Sequence, residues 1–401
     1  MIELHNPLKR EKASVGLFND CFPPVMDGVA VCVENYAHWL QKMVGDVKVI
    51  TPTVPGADYS KLDYEVIDYI SVPVPKREPY VTGIAEADPR FLVSIAKTRF
   101  KILHAHCPFA SGVAARRIAR HQGIPLVATF HSKYRDDFSR VLPSVVVDGI
   151  IKFIVDFYNR ADLVWVPQES VIDVIREYGY KGPVEVMDNG SDLVADYPDQ
   201  FFTDARKSLG IKPDEFVMLF VGQHIWEKNP RLVIEALARM TDVPFKMYFI
   251  GRGYAEQDMR NLVSRLGLDD KVTFTGNIGD RQLLTQYYAA SDLFLFPSLY
   301  DNAPLVVREA AALHTPAVMA KGATASTILR DGENGFLVEN DVSAMEGLLR
   351  QLIADPDRVH RVGLEASKSI VRSWEDCVGE ALDRYNVLLK SRNLPLIEKL
   401  T

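Results

Sequence analysis

The sequence predicts an α/β protein made of two open, doubly wound parallel-sheet domains facing each other across a cleft. Three observations carry that expectation. Short runs rich in Val, Ile and Leu alternate with helix-length amphipathic segments along nearly the whole chain, the pattern of βα units around a parallel sheet. The apolar runs show no clean period-two alternation, as befits strands buried on both faces. The length of 401 residues is enough for two domains of about 100–200 residues each.

In the first half, strands are expected at 14–18, 47–51, 102–105, 125–130, 163–166 and 184–187. Helices are expected near 29–43, 110–121, 144–159 and 170–178, with Gly123 and Gly179 where C-terminal caps belong. The pattern restarts at Glu215. Strands are expected there at 216–221, 246–250, 271–275, 293–296, 317–320 and 336–338. Asn229-Pro230-Arg231 supplies an N-cap and a first-turn proline for the helix after the first of them. Leu232, Val233, Ala236, Leu237 and Met240 then fall on one helical face, and Gly267 and Gly332 read as helix stops. The polar stretch 189–212, broken by Pro198 with Pro213 just beyond, reads as an irregular interdomain linker. The expected domains are 1–192 and 193–373, with 374–401 crossing back to the first.

Composition narrows the function. Apolar residues make up 47% and charged residues 25%, near the average for soluble domains, so each domain can build a core without disulfides or metals. A net charge of −7 argues against a general nucleic-acid binder, which needs a basic face. The four cysteines are scattered with no CxxC pair and read as reduced thiols in a cytoplasmic protein. MIELHNPLKREK lacks the apolar run of a signal peptide. The apolar stretch 143–158 is interrupted by Asp148, Lys152 and Asp156 and is too short to span a bilayer.

Because ligands bind outside the carboxyl ends of parallel strands, loops that follow strands are the places to look. Val221-Gly222-Gln223-His224-Ile225-Trp226-Glu227-Lys228-Asn229 joins the first C-terminal strand to its helix. Its glycine permits a tight turn, and a lysine near a helix N-terminus suits phosphate. Pro297 to Glu309 places Asp301 in a loop and Glu309 about one turn into a helix. Carboxylates there suit sugar or ribose hydroxyls, and first-turn amides suit phosphate oxygens. Taken singly, the first motif is equally compatible with an ordinary βα loop, and the second reads first as a loop carboxylate and a first-turn helix charge.

Together these motifs resemble the retaining glycosyltransferases of family 4, which have the GT-B fold of two Rossmann-like domains. Phe22-Pro23-Pro24-Val25-Met26-Asp27-Gly28-Val29-Ala30 resembles that family's N-terminal glycine loop. Ala105–Phe109, Ala128–His131 and Met187–Asp192 resemble its later strand ends, Gln223–Lys228 its Arg-x-x-x-Glu-Lys motif, and Asp301–Glu309 its Glu-x7-Glu motif. Ser373-Trp374-Glu375 resembles the return of its last helix. The resemblance implies transfer of a sugar from a nucleotide diphosphate sugar to an acceptor hydroxyl with retention, and no cofactor or metal. It assigns Lys228 to the diphosphate, Glu309 to the ribose, and Asp301 to hydroxyls of the transferred sugar. Asn302, Ala303 and Leu305 would supply backbone amides, Gly28 close approach to phosphate, and His131 a place beside the sugar. By itself His131 reads as a core histidine. A nucleotide-sugar epimerase of the same architecture, or an inactive nucleotide-sugar binder, shares these features.

Three positions depart from the family pattern: Gln223 replaces an arginine, Pro304 a glycine, and Asp301 a glutamate. His224 and Arg308 are the basic neighbours that could take over the arginine's contact. His104 and His106 are expected to face opposite ways at a strand end, away from any Asp, Glu or Cys set, which argues against a metal site. The acceptor stays open between a lipid and a soluble molecule. Phe130–Tyr134 with the apolar stretch 145–157 resembles the lipid-facing region of diacylglycerol glucosyltransferases. Arg116, Arg117, Arg120, Lys133 and Arg135 could form a basic patch there, at the inner face of a membrane, unless Asp136, Asp137, Asp148 and Asp156 cancel it.

Overall fold

The computed structural model describes residues 11–25, 27–74, 80–194, 197–212 and 214–400, with the side chains of residues 11–13 left out of the description. The N-terminal segment expected to carry no signal peptide, Met26 of the glycine loop and Pro213 lie outside these residues. The chain divides into two compact units, one of residues up to Asn189 with Trp374 onward, the other Gly190–Ser373.

The first unit contains β1 (Glu11–Phe18), β2 (Val47–Pro52), β3 (Glu65–Tyr69), β4 (Ser71–Pro73), β5 (Val81–Gly83), β6 (Thr98–Ala105), β7 (Leu126–Thr129), β8 (Leu163–Val166) and β9 (Glu185–Val186). Seven of these form a parallel sheet in the order β3-β2-β1-β6-β7-β8-β9, while β4 and β5 make a small antiparallel ribbon. Strands β3 to β5 are not among the expected elements. β3 is an edge strand with an exposed and half-exposed half, so it lacks the continuous apolar run that marks the central strands. Crossover helices Gly28–Val44, Ala110–Gln122 and Ser144–Asn159 follow β1, β6 and β7. Asp27 caps the first of them by accepting from the amides of Val29 and Ala30 at 2.9 and 2.7 Å. The last helix, Trp374–Ser391, belongs to this unit: Trp374 meets Tyr36 edge-on, and Tyr385 stacks on Trp165.

The second unit has β10 (Phe216–Val221), β11 (Phe245–Ile250), β12 (Val272–Gly276), β13 (Leu293–Leu295), β14 (Ala317–Ala320) and β15 (Phe336–Val338), all parallel in the order β12-β11-β10-β13-β14-β15. Each residue of β10 is buried, because helices cover both faces of the sheet. The 189–212 stretch is less irregular than expected. It contains the helix Asp199–Ser208, whose Ala205 is buried and whose Phe201 and Phe202 pack on the core. Asn229 holds the N-cap position of the helix Pro230–Ala238, as expected, but its side chain makes no capping bond. It is left-handed at φ 61° and spends its side-chain amide on the Pro297 carbonyl and Asn340. Gly332 ends no helix either; it sits in the turn Asp331–Gly335.

In both sheets the chain runs outward on one side of the first strand and returns on its other side. The reversal falls between β1 and β6 in the first unit and between β10 and β13 in the second. These switch points leave a crevice at the carboxyl ends of the two diverging strands.

Candidate active site

In the second unit the switch point brings the two sequence motifs together. β10 pairs with β13 through Met218 with Leu293 and Leu219 with Phe294. The loops leaving those strands therefore emerge side by side, although Lys228 and Asp301 are 73 residues apart. Gly222, at φ 149°, and Gly251, at φ 132°, let the loops turn: a Cβ on Gly251 would lie 2.0 Å from the Gly222 carbonyl oxygen. The turn Trp226–Lys228 then delivers Lys228. Its Nζ donates to both Asp301 carboxylate oxygens at 2.6 and 2.8 Å, with 12% and 16% of the two side chains exposed. Ser298 holds the loop from beneath. Its hydroxyl donates to Asp301 Oδ2 at 2.6 Å and accepts from the amides of Tyr300 and Asp301.

Glu309 lies in the helix Leu305–Ala312, preceded by Asn302, Ala303 and Pro304. Asn302 is buried, while Ala303 and Leu305 are half-buried. Arg281 donates to Glu309 Oε1 at 2.7 Å and the Tyr288 hydroxyl to Oε2 at 2.8 Å. The same guanidinium binds Asp192, with Nε 2.9 Å from Oδ2. Burial works against charge on Arg281, but its bonds to Asp192 and Glu309 outweigh it and hold the guanidinium protonated beyond its ordinary range. Burial, with Glu309 adding, pushes the Tyr288 hydroxyl well up, so it stays a donor. Arg281 and Tyr288 escaped the sequence reading. Their seven-residue spacing puts both on one face of the helix Arg281–Ala290, yet nothing in that pattern names Glu309 as their partner.

Gln223 is exposed, and neither basic neighbour replaces the missing arginine. His224 is enclosed, its ring against Phe220, Phe249 and Phe274 and its Nδ1 3.8 Å from Glu256. Burial lowers its pKa. Arg308 is buried and donates to the Ile370 carbonyl at 2.7 Å. Both side chains are committed to the interior.

In the first unit Gly28 opens the helix Gly28–Val44 and is exposed, with nothing within 4 Å of where a Cβ would stand. Asp20, just past β1, was not anticipated. It accepts from the Ser111 amide at 2.8 Å and the Cys107 thiol at 3.0 Å, and burial raises its pKa. His131 follows β7 and shares a hydrogen bond with His106, Nε2 to Nδ1 at 3.0 Å. Burial pushes the His131 pKa down to about 4, so its ring is neutral at pH 7. The expectation for His104 and His106 fails. Residues two apart on a strand share a face, and their ring centroids are 3.9 Å apart. Cys32 completes a cluster with His106 and His131. The basic patch is largely paired: Arg116 with Asp156, Arg117 with Glu86 and Arg135 with Asp148. Among the described residues no helix is long and apolar enough to cross a membrane.

The comparisons with known proteins agree with this architecture. The family model for group 1 glycosyl transferases matches residues 201–369, and that for glycosyltransferase family 4 matches residues 26–194. An alpha-monoglucosyldiacylglycerol synthase of Streptococcus pneumoniae is 27% identical over 356 residues, covering 86% of this chain and 79% of its own. A D-inositol 3-phosphate glycosyltransferase of an Arthrobacter species is 28% identical over 303 residues, covering 72% of this chain and 70% of its own. Among solved structures, HepE of Anabaena in complex with UDP and glucose superposes with a TM-score of 0.75 at 19% identity, over 93% of this chain and 99% of that one. Sucrose-phosphate synthase of Thermosynechococcus elongatus gives 0.79 at 20% identity, over 95% and 100%. With a family 4 match on one parallel-sheet unit and a group 1 match on the other, the chain belongs to the GT-B glycosyltransferases, enzymes that transfer sugar from a nucleotide sugar.

Proposed function

We propose that the chain transfers a hexose from a UDP-sugar to a lipid hydroxyl at a membrane surface, with retention at the anomeric carbon and without a metal. The observation that carries the donor half is the Lys228–Asp301 pair at the switch point. A diphosphate arriving there takes Lys228 as its counter-ion, which releases Asp301 to accept hydrogen bonds from sugar hydroxyls. As the sugar–phosphate bond breaks, Lys228 and the first-turn amides around Asn302, Ala303 and Leu305 stabilise the charge on the departing phosphate, the work a cation would otherwise do. Glu309 has lone pairs to spare beyond Arg281 and Tyr288, since a carboxylate offers about four acceptor sites, and receives the ribose hydroxyls. Gly28 leaves room for backbone approach, and neutral His131 is assigned to the sugar. Retention without an enzymic nucleophile implies attack on the same face that the diphosphate leaves.

The lipid half is supported by the helix Ser144–Asn159. It buries Val147, Ile151, Ile154 and Phe157 yet turns Val145 and Phe153 outward, 81% and 42% exposed, beside exposed Val141 and Val146. An apolar face of this kind fits the boundary of a bilayer. The relative named for monoglucosyldiacylglycerol supports the lipid acceptor, and a solved relative holding UDP supports the donor. The test incubates the protein with UDP-sugars and diacylglycerol vesicles in excess chelator and reads the anomeric configuration of any glycolipid by proton NMR. An α-glycolipid from an α-linked donor supports the proposal. Inverted product, dependence on added metal, epimerised nucleotide sugar, or binding without turnover each refutes the corresponding part.

A further inference from the structure

Cys32, His106 and His131 come from three separate elements: the helix after β1, the end of β6 and the end of β7. Their donor atoms nevertheless all lie within 4.8 Å of one another. Cys32 and His106 are 2% and 1% exposed, while His131 is half-buried. A buried polar group normally finds a partner, and the neighbouring His104 does: its Nδ1 meets the Tyr385 hydroxyl at 2.6 Å and its Nε2 the Thr129 hydroxyl at 2.7 Å. His106 does not. Its Nδ1 meets His131, but its Nε2 is buried with no hydrogen-bond partner. The Cys32 thiol donates over a long 3.7 Å to Asn189 Oδ1. The cluster thus holds one sulfur donor, two imidazoles and an unsatisfied ring nitrogen in one place.

We infer that this cluster is a binding site for a borderline or soft divalent transition ion, zinc above all, held by Cys32, His106 and His131. One thiolate and two imidazoles suit Zn²⁺ or Co²⁺ and are a poor set for Mg²⁺ or Ca²⁺. Three protein ligands leave a fourth position for water or an exogenous group. Binding replaces the Cys32 S–H bond by a sulfur–metal bond and releases that proton to solvent. The histidines enter as neutral donors, because burial holds both pKa values down. A ring nitrogen that binds the ion must be unprotonated, so a proton on it moves to the other nitrogen of its ring. His104, satisfied and packed at a tilt against His106, fixes the ring from behind without being a ligand.

The metal is not needed for sugar transfer in the mechanism proposed above. It occupies His131, so it acts as an inhibitor; this consequence alone rests on the functional reading. The site itself is tested without turnover. Tag-free full-length protein is titrated with Co²⁺ and with Zn²⁺, following cobalt absorption, calorimetric stoichiometry and proton release. One equivalent bound, a near-ultraviolet thiolate-to-cobalt charge-transfer band and its bleaching by Zn²⁺ are expected. Cys32→Ser should remove the band and His106→Gln weaken binding by at least about tenfold, while Cys107→Ser leaves both intact. If Cys32→Ser fails to fold, protection of Cys32 from alkylation by Zn²⁺, read by mass spectrometry on the unaltered chain, replaces it. No saturable binding, a band that survives Cys32→Ser, or alkylation unaffected by Zn²⁺ overturns the inference. Loss of transferase activity on Zn²⁺ addition with no cobalt band locates the inhibition elsewhere.

Discussion

Replacing Asp301 by alanine should tighten the binding of free UDP while impairing turnover of the nucleotide sugar. Lys228 is neutralised by Asp301 through two short bonds. A diphosphate must therefore compete with a carboxylate already in place. The gross attraction between unit charges about 4 Å apart is about 4 kcal/mol at an effective dielectric near 20, and desolvation offsets much of it. A hydrogen bond to a charged group is worth about 1.5–3 kcal/mol net. Removing the competitor should thus lower the Kd for UDP by roughly 10- to 100-fold, since 1.4 kcal/mol is tenfold. Asp301→Asn, which can still accept from Ser298, should give a smaller gain. Titration calorimetry with UDP reads the first effect and initial rates with a UDP-sugar read the second. If UDP binds Asp301→Ala as weakly as the parent, or more weakly, the competition argument is wrong and Lys228 does not meet the diphosphate.

The remaining expectations follow from the same geometry. Lys228→Ala should lower kcat/KM by about 2–4 kcal/mol of transition-state stabilisation, with thermal stability little changed; steady-state kinetics and a melt check both. Glu309→Ala should weaken free UDP as well as the donor, and Arg281→Gln should narrow the preference for UDP over its 2′-deoxy analogue, as calorimetry with the two ligands would show. Gln223→Arg should tighten UDP by about 1.5–3 kcal/mol, because neither His224 nor Arg308 occupies that role; no gain would mean that position 223 does not reach the phosphates. Burial holds the pKa values of His104 and His106 well below 6.5 and that of His131 near 4, so the unfolded chain binds more protons than the folded one in acid. Their contribution is fully present above about pH 6.5, and stability should fall as pH drops from there towards 4. A melting temperature that rises over that interval would contradict the assignment of neutral, buried rings.

The sequence by itself determined the central architecture and pointed to the loops that hold the candidate site. Strands such as 163–166, 216–221, 317–320 and 336–338 could be read to the residue, because burial on both faces imposes a continuous apolar run that turn residues delimit. Lys228, Asp301 and Glu309 are singled out by loops that follow parallel strands together with the family resemblance, and the structure places Lys228 against Asp301. What escaped depends on contacts between distant segments. Edge strand β3 is apolar on only part of its length. The helix Asp199–Ser208 hides in a polar stretch because only one of its residues is buried. Only the tertiary structure decided that Lys228 is already paired with Asp301, that Arg281 and Tyr288 hold both oxygens of Glu309, and that Arg308 faces inward. It also decided that Cys32, His106 and His131 meet, at sequence separations of 74 and 25 residues that no local pattern spans. Strand pairing at the switch points sets those meetings: β10 beside β13 and β1 beside β6 carry residues far apart in the chain to the same edge of a sheet, where side-chain chemistry depends on distance in space.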